Sequence, residues 1–453
     1  MLLAIGSPAL AGYSLAITKL NSRWLSRQFP LLSPPHNINT KVPLAVSALQ
    51  HIPFKIDDSL PPFKSGSVSA NEVYWNTLYS AAMDTRQWSI PVIMNIFWAL
   101  VALTFTIVGS LVAFQEVISV PGDVGYPIVA VWSYLLPLVI GWFYVGSQLK
   151  ANQLRDALSN AYEKAFLGPA KQPEPIKQFD LAIQPDLATQ PDLATQPDLA
   201  TQPDLAKYPD PVDNPSEPSK GIEYSIELID HDVNADEKKT APIFNYARVF
   251  VWSQYAEQIL NLYPSANRWE GWSRNIVARR VLWAAIFAHL LQWGTTGASI
   301  LIHFFTPPKG FGCRALTYTV YGSAGTFSFW LLLLSSILAH KARPQTDPQT
   351  PLPSSTRFVG YIAIFVRWLG KTIAVVNGLG ILIACGMQFA GLYDNCFCSS
   401  TLFGGSPDGL VKFLEPNIKG SQVYGYWIGG LILAFGTSFL YGIMLYVVTP
   451  MKF

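Results

Sequence analysis

VLWAAIFAHLLQWGTTGASILIHF, residues Val281–Phe304, contains no Asp, Glu, Lys or Arg. At about 1.5 Å per residue, a helix of this length crosses a hydrocarbon core of about 30 Å. Because there is no water at that depth, every backbone polar group must be satisfied within the segment, and a helix does this. The stretch therefore predicts a transmembrane helix, and it fixes the solvent in which the chain folds.

Five further stretches have the same character. Half of the residues are hydrophobic and 13% are charged, against roughly 25% charged residues in soluble domains. The net charge of +2 gives no reason to expect a nucleic acid, so the predicted partner is the lipid bilayer. We predict an all-α, polytopic bundle with six spans: Pro91–Phe114, Pro127–Leu149, Val281–Phe304, Tyr318–His340, Thr372–Leu392 and Tyr424–Val447.

A short apolar segment, residues 1–18, precedes these spans. It lacks the basic start of a signal peptide and is followed by Lys19, Arg23 and Arg27. A span needs about 20 residues, so we interpret this segment as a transmembrane helix that is truncated at its start. Residues 19–90 are then a proline-dotted cytoplasmic loop that ends in an interfacial helix anchored by Tyr74 and Trp75.

Basic residues gather in two of the loops between spans, and by the positive-inside rule both loops face the cytoplasm. One lies before Val281 and holds Arg279 and Arg280, and the other holds Arg367 and Lys371. The resulting organisation is a transmembrane hairpin over 91–149, a cytoplasmic insertion over 150–280 and a four-span region over 281–453.

The insertion contains a tandem repeat. The hexapeptide Gln-Pro-Asp-Leu-Ala-Thr begins at Gln184, Gln190 and Gln196. A proline in every unit and one leucine per unit argue against a β-solenoid, so residues 171–241 are predicted to be disordered. An amphipathic helix over 242–263 follows, lying against the membrane or the bundle. A cytosolic protein partner could bind through residues 150–280.

Three cysteines, Cys313, Cys396 and Cys398, fall in segments that this topology places outside the cytoplasm, where thiols oxidise. We expect a disulfide between Cys313 and one of the other two, with the connectivity open. Metal binding by the Cys-Phe-Cys pair is the weaker interpretation, because no His or acidic residue lies at zinc-ligand spacing. Such cysteines suit the plasma membrane or a membrane of the secretory pathway.

Polar residues inside the spans are few: His289 and Gln292 in the third span and Asn377 in the fifth. Hydrogen bonding between helices accounts for all three. His289 is the one side chain among them that could carry a proton, so it would lie in the pathway if the protein were a transporter or channel.

Breaks and small residues in the spans point to packing. Pro137 could break the second span, and Gly378 with Gly380 could loosen the fifth. Two glycine pairs near the starts of spans predict close helix packing: Gly322 with Gly325, and Gly425 with Gly429.

No metalloprotease, serine hydrolase or phosphate-loop motif occurs in the chain. We therefore expect no catalysis and no cofactor. The sequence favours an integral membrane protein that acts as a scaffold, a sensor or a membrane organiser, with a transporter or channel as the alternative. It leaves the oligomeric state open.

Three segments resemble filamentous-fungal multi-pass membrane proteins, a group without an assigned activity. They are GSPALAGYSLAIT at Gly6–Thr18, Gly310–Arg314 and Gly391–Cys398. The resemblance covers the spans and their junctions but not the repeat. It implies that the Gly-Ser-Pro-Ala segment lies inside a longer chain, and it assigns no catalytic or binding residue.

Overall fold

The computed structural model describes residues 2–28, 38–51, 54–56, 68–84, 125–145, 151–167, 226–228, 242–261, 274–306, 310–342, 354–390, 392–393 and 420–447. Most of these residues form helices, which are in chain order α1 Leu2–Gly6, α2 Pro8–Gln28, α3 Ile38–Ala48, α4 Val68–Asp84, α5 Gly125–Trp132, α6 Leu135–Val145, α7 Ala151–Tyr162, α8 Asn245–Asn261, α9 Arg274–Phe305, α10 Cys313–Lys341, α11 Ser354–Phe389 and α12 Gly420–Val447. Short 3₁₀ turns cover Leu49–His51 and Pro242–Phe244, and a π-helical turn covers Glu163–Leu167.

Four helices are long and apolar enough to cross a membrane: α9, α10, α11 and α12. Their outward faces carry large apolar side chains, and Phe358 is 66% and Phe439 71% exposed. Contiguous apolar surface of this kind is rare on soluble monomers but is what a lipid solvent requires. The chain is therefore a multi-pass helical membrane protein.

Helix α2 lies inside the bundle and is buried along Pro8–Lys19. It runs antiparallel to α9, because Ala9 contacts Gln292 and Asn21 contacts Arg280. The predicted apolar segment stopped at residue 18, whereas the helix continues to Gln28, with Asn21, Ser22, Trp24 and Leu25 buried against protein. This helix is not one of the four candidate spans, so the predicted N-terminal span is not confirmed.

The predicted second span is two helices, α5 and α6, separated by a turn at Ser133–Tyr134. Pro137 has no N–H to donate to the Ser133 carbonyl, which weakens the helix at this point. The Ser133 hydroxyl donates to the Ala130 carbonyl at 2.8 Å and lies 3.3 Å from the Ser438 hydroxyl of α12. The apolar part of this predicted second span, Pro127–Trp142, is shorter than the four candidate spans.

A second core lies beside the end of the bundle where α9 begins and α10 ends. It is formed by α3, α4, α7, α8 and the last turns of α2, which we call the helical cap. Its fully buried members include aromatic and aliphatic side chains from all five helices: Leu25, Val46, Trp75, Ala161 and Trp252. Tyr74 and Trp75, predicted to anchor an interfacial helix, are instead 1% exposed within this core.

Two three-residue strands, β1 Phe54–Ile56 and β2 Ile226–Leu228, form an antiparallel pair. The all-α prediction did not include this strand pair. Local sequence misses the pair because each strand is stabilised by a partner distant in the chain.

Helix α11 begins at Ser354, well before the predicted start of the fifth span at Thr372. Hydropathy detects the part of a helix that faces lipid, whereas the backbone hydrogen bonds continue through Arg367 and Lys371. The predicted basic loop is therefore partly helical. The span Pro91–Phe114, the repeats beginning at Gln184 and the remainder of 171–241 lie outside the described residues.

The structure supports the prediction of close helix packing for one of the two glycine pairs. A Cβ on Gly322 or Gly325 would lie 3.1–3.2 Å from atoms of neighbouring segments, so those glycines permit close approach. A Cβ on Gly425 or Gly429 would meet nothing within 4 Å in the described part of the protein. Both residues face away from the described helices, so close packing at this second pair stays a prediction.

Candidate functional site

The most polar region within the bundle lies where the chain breaks between α1 and α2. Ser7 is not helical, and Pro8 has no N–H to continue the hydrogen-bond ladder. The carbonyl oxygens exposed by this break accept from side chains of other helices. Tyr321 of α10 donates its hydroxyl to the Ile5 oxygen, and Asn377 of α11 donates its amide to the Gly6 oxygen, both at 2.7 Å.

Gln292 of α9 contacts the other side of the same break. Its Oε1 accepts the Ala9 amide at 2.9 Å, and its Nε2 donates to the Gly322 oxygen at 2.7 Å and to the Thr326 hydroxyl at 2.8 Å. One fully buried side chain thus joins α9 to α2 and α10. Because lipid offers no competing partner, such hydrogen bonds hold helices in register.

Ser7, Gln292, Tyr321 and Asn377 together form what we call the polar layer. Ser7 donates to the Gly325 oxygen at 2.8 Å, and Asn377 donates also to the Tyr321 oxygen at 2.9 Å. The layer lies close to the middle of the candidate span Asn275–Phe305. The hydrogen bonds of these four side chains join α1, α2, α9, α10 and α11, which is the arrangement of a structural junction.

The backbones approach closely at this junction. A Cβ on Gly6 would overlap the carbonyl oxygen of Ala374, and a Cβ on Gly378 would lie 2.9 Å from the oxygen of Leu2. Gly378 was predicted to loosen the fifth span, but it instead provides room for α1. The paired glycines bring the carbonyls of α1 within reach of Asn377.

His289 is not part of the polar layer. Its Nδ1 lies 2.8 Å from the Ala285 oxygen of its own helix, and its ring packs edge-on against Phe329 with centroids 4.9 Å apart. Trp330 covers the ring at 5.6 Å, and the buried Nε2 has no hydrogen-bond partner among the described residues. The structure therefore brings Gln292 and Asn377 together through α1 and leaves His289 among aromatic rings.

A second polar group lies at the opposite end of the bundle from the cap. The Tyr318 hydroxyl donates to Gln388 Oε1 at 3.0 Å, and the ring of His303 stacks on Tyr318 at 5.3 Å. Cys385 is free and buried nearby. Among the described residues, no cluster of three or more His, Cys, Asp or Glu side chains could hold a metal.

Cys313, at the start of α10, is disulfide-bonded. Cys396 and Cys398 lie outside the described residues, so the pairing of Cys313 with one of them stays a prediction.

Sequence reasoning missed the roles of Ser7 and Tyr321, and it did not predict the burial of Arg280. The signal for Ser7 was available, because a Gly-Ser-Pro triplet inside an apolar segment marks a break in a membrane helix. Tyr321 gave no such signal, since tyrosines are common in spans and its role depends on the position of α1.

The fold and the polar layer define a class: a multi-pass helical membrane protein whose bundle is joined at its centre by side-chain-to-backbone hydrogen bonds. No family model, curated protein or solved structure matches the chain.

Replacing Gln292 with leucine is expected to destabilise the bundle by about 1–3 kcal/mol. Leucine has a similar volume, but it leaves the buried Ala9 amide without its acceptor and removes the donor to the Gly322 oxygen. The measurement is thermal unfolding of the purified protein in detergent. Thr437→Val is the matched control, because the Thr437 hydroxyl bonds only to carbonyls of its own helix. Equal losses in the two variants would contradict a special role for Gln292.

Proposed function

We propose that this chain is a non-catalytic membrane scaffold, in which the bundle holds the helical cap in a fixed position for a protein partner. The observation that supports this most directly is the Gln292 amide, whose two ends both bond to neighbouring helices. A side chain used in this way fixes helix positions. A transport site, by contrast, requires a polar side chain that faces an aqueous path.

The cap supplies the surface for the partner. Helices α7 and α8 both belong to the insertion over 150–280, and both pack their apolar faces into the cap core. The opposite face of α7 and the π-helical turn that follows it are exposed and polar, and they carry Asp156, Asn160, Glu163 and Lys164. A rigid polar face on a membrane-anchored core is suited to binding a cytosolic protein.

The competing function is a transporter or channel with His289 in the pathway. Proton transfer needs a chain of hydrogen-bonding groups, and His289 is hydrogen-bonded to its own helix and flanked by Phe329 and Trp330. The His289 ring lies beside the polar layer and makes none of the hydrogen bonds described there. This geometry favours a packing role for His289.

Proton flux in sealed proteoliposomes tests the two functions. We expect the full-length protein and its His289→Ala variant to leave the proton leak of protein-free vesicles unchanged, as read by an internal pH-sensitive dye. The variant should unfold within about 1 kcal/mol of the parent, since a packing contact at a half-buried site is lost. A leak above that of empty vesicles that His289→Ala abolishes would establish the transporter or channel and overturn the scaffold.

A further inference from the structure

Four basic side chains are buried at the end of the bundle that carries the cap: Lys19 of α2, Arg248 of α8, Arg280 of α9 and Arg367 of α11. We call them the basic layer. Each is at most 8% exposed. Burying a cation costs several kcal/mol unless an anion or a set of hydrogen bonds compensates it. Four such groups in one layer give this end of the bundle a concentrated positive charge.

Two members of the basic layer, Arg280 and Arg367, lie at about the depth where a hydrocarbon core ends. At about 1.5 Å per residue, Arg280 lies about 18 Å along α9 from Gln292, which is near the middle of its candidate span. Arg367 lies about 15 Å from Asn377 in the same way. Half of a hydrocarbon core is about 15 Å, so both guanidinium groups lie where the hydrocarbon ends and the headgroups begin.

Arg280 has the clearest surroundings of the four. Its Nη1 donates to Asn21 Oδ1 at 2.7 Å and its Nη2 to the Ser253 hydroxyl at 3.4 Å, and the guanidinium lies 4.3 Å from the Trp24 ring centroid. All three partners are neutral. Its buried Nε has no acceptor, and no carboxylate in the described part of the chain pairs with this arginine.

The surrounding helices add positive charge. The end of α2 contributes Arg23 and Arg27, and the start of α9 contributes Arg279, which is exposed beside the buried Arg280. Across α2, α8 and α9 the described residues include one acidic side chain, Glu257. The local field therefore favours an anion strongly.

We infer that the basic layer, with Arg280 at its centre, binds the phosphate of an anionic phospholipid from the adjoining leaflet. Arginine presents a planar fork that matches phosphate oxygens. Free phosphate has the same chemistry, but the depth of the site favours a lipid. The inference is independent of the scaffold proposal.

Thermal unfolding of the full-length protein in a neutral detergent tests this site. The probes are dioctanoyl phosphatidic acid, dioctanoyl phosphatidylcholine and inorganic phosphate. We expect phosphatidic acid to raise Tm by several degrees with saturation, as binding to the folded state requires. Phosphatidylcholine and inorganic phosphate should have little effect.

Adjacent arginines provide the matched variants. Arg280→Gln keeps hydrogen-bonding capacity but removes the buried charge, and we expect it to weaken the apparent affinity for phosphatidic acid about tenfold or more. Arg279→Gln makes the same charge change at an exposed position, and the affinity should stay within about twofold.

Three outcomes would overturn the inference. They are no stabilisation of the parent by phosphatidic acid, equal losses in the two glutamine variants, or stabilisation by inorganic phosphate as strong as by the lipid. The first outcome would show that the lipid does not bind. The second would show that binding depends on diffuse surface charge. The third would show that the site binds free anions. If Arg280→Gln does not fold, Arg280→Lys keeps the charge but not the planar fork. It should then weaken lipid binding severalfold, and Arg279→Lys should not.

Discussion

Replacing Trp252 with alanine is expected to unfold the helical cap while the membrane bundle remains folded. The Trp252 ring is 2% exposed, packs edge-on against Trp24 with centroids 6.4 Å apart, and donates its Nε1 to the Val46 oxygen at 3.1 Å. Losing a buried tryptophan costs about 3–5 kcal/mol, because the cavity adds to the lost transfer energy. Hydrogen exchange of α3, α4 and α8 should accelerate by about two to three orders of magnitude.

Gln254→Ala is the control for this experiment, because Gln254 is exposed on the same helix. It should leave the exchange rates of the cap unchanged. If Trp252→Ala accelerated exchange equally in α9 and α10, the cap and the bundle would form one cooperative unit. If it accelerated exchange in neither the cap nor the bundle, the Trp252 contacts would not hold the cap together.

Replacing Gly6 with alanine is expected to lower the free energy of unfolding of the bundle by about 3 kcal/mol, the upper range for overpacked sites. The new methyl group would overlap the carbonyl oxygen of Ala374, and the backbone nitrogen of Gly378 lies next to it. Neither atom belongs to a flexible side chain, so α1 must move away from α11. The Gly6 oxygen would then lose its bond from Asn377. Thermal unfolding in detergent measures the loss.

Gly380→Ala provides the matched control on α11, since a Cβ at Gly380 meets nothing within 4 Å in the described part of the protein. There the gain in helix propensity, up to about 1 kcal/mol, should stabilise the protein or leave it unchanged. Opposite signs for the two alanine substitutions would support the close contact of α1 with α11. A stable Gly6→Ala variant would show that α1 does not pack against α11 as described.

Glycines show where sequence reasoning stops. Gly378 and Gly380 stand two positions apart in the same apolar segment, and the sequence gives both the same role. In the structure Gly378 faces Gly6 and Leu2, whereas Gly380 is exposed. The difference follows from the face of α11 that each occupies and from the presence of α1 on one of those faces.

Charged residues show the same limit. Arg279 and Arg280 were both expected at the basic margin of a span, and both lie at that level. Their burial differs because successive residues on a helix point about 100° apart, so one faces α2 and α8 while the other is exposed. Arg367 was placed in a loop but lies within α11 and donates to the Ser335 hydroxyl at 2.8 Å.

The sequence by itself determined the solvent, the helical class and four of the spans. Long apolar runs without charge permit few other structures, because backbone polar groups in lipid must be satisfied locally. It also indicated Gln292 and Asn377 as the side chains that join helices. Only the tertiary structure decided that these two meet at the break between α1 and α2, that His289 does not join them, and that Trp75 and Trp252 share the core of a cap. Each of these depends on contacts between segments distant in the chain, which local composition does not encode.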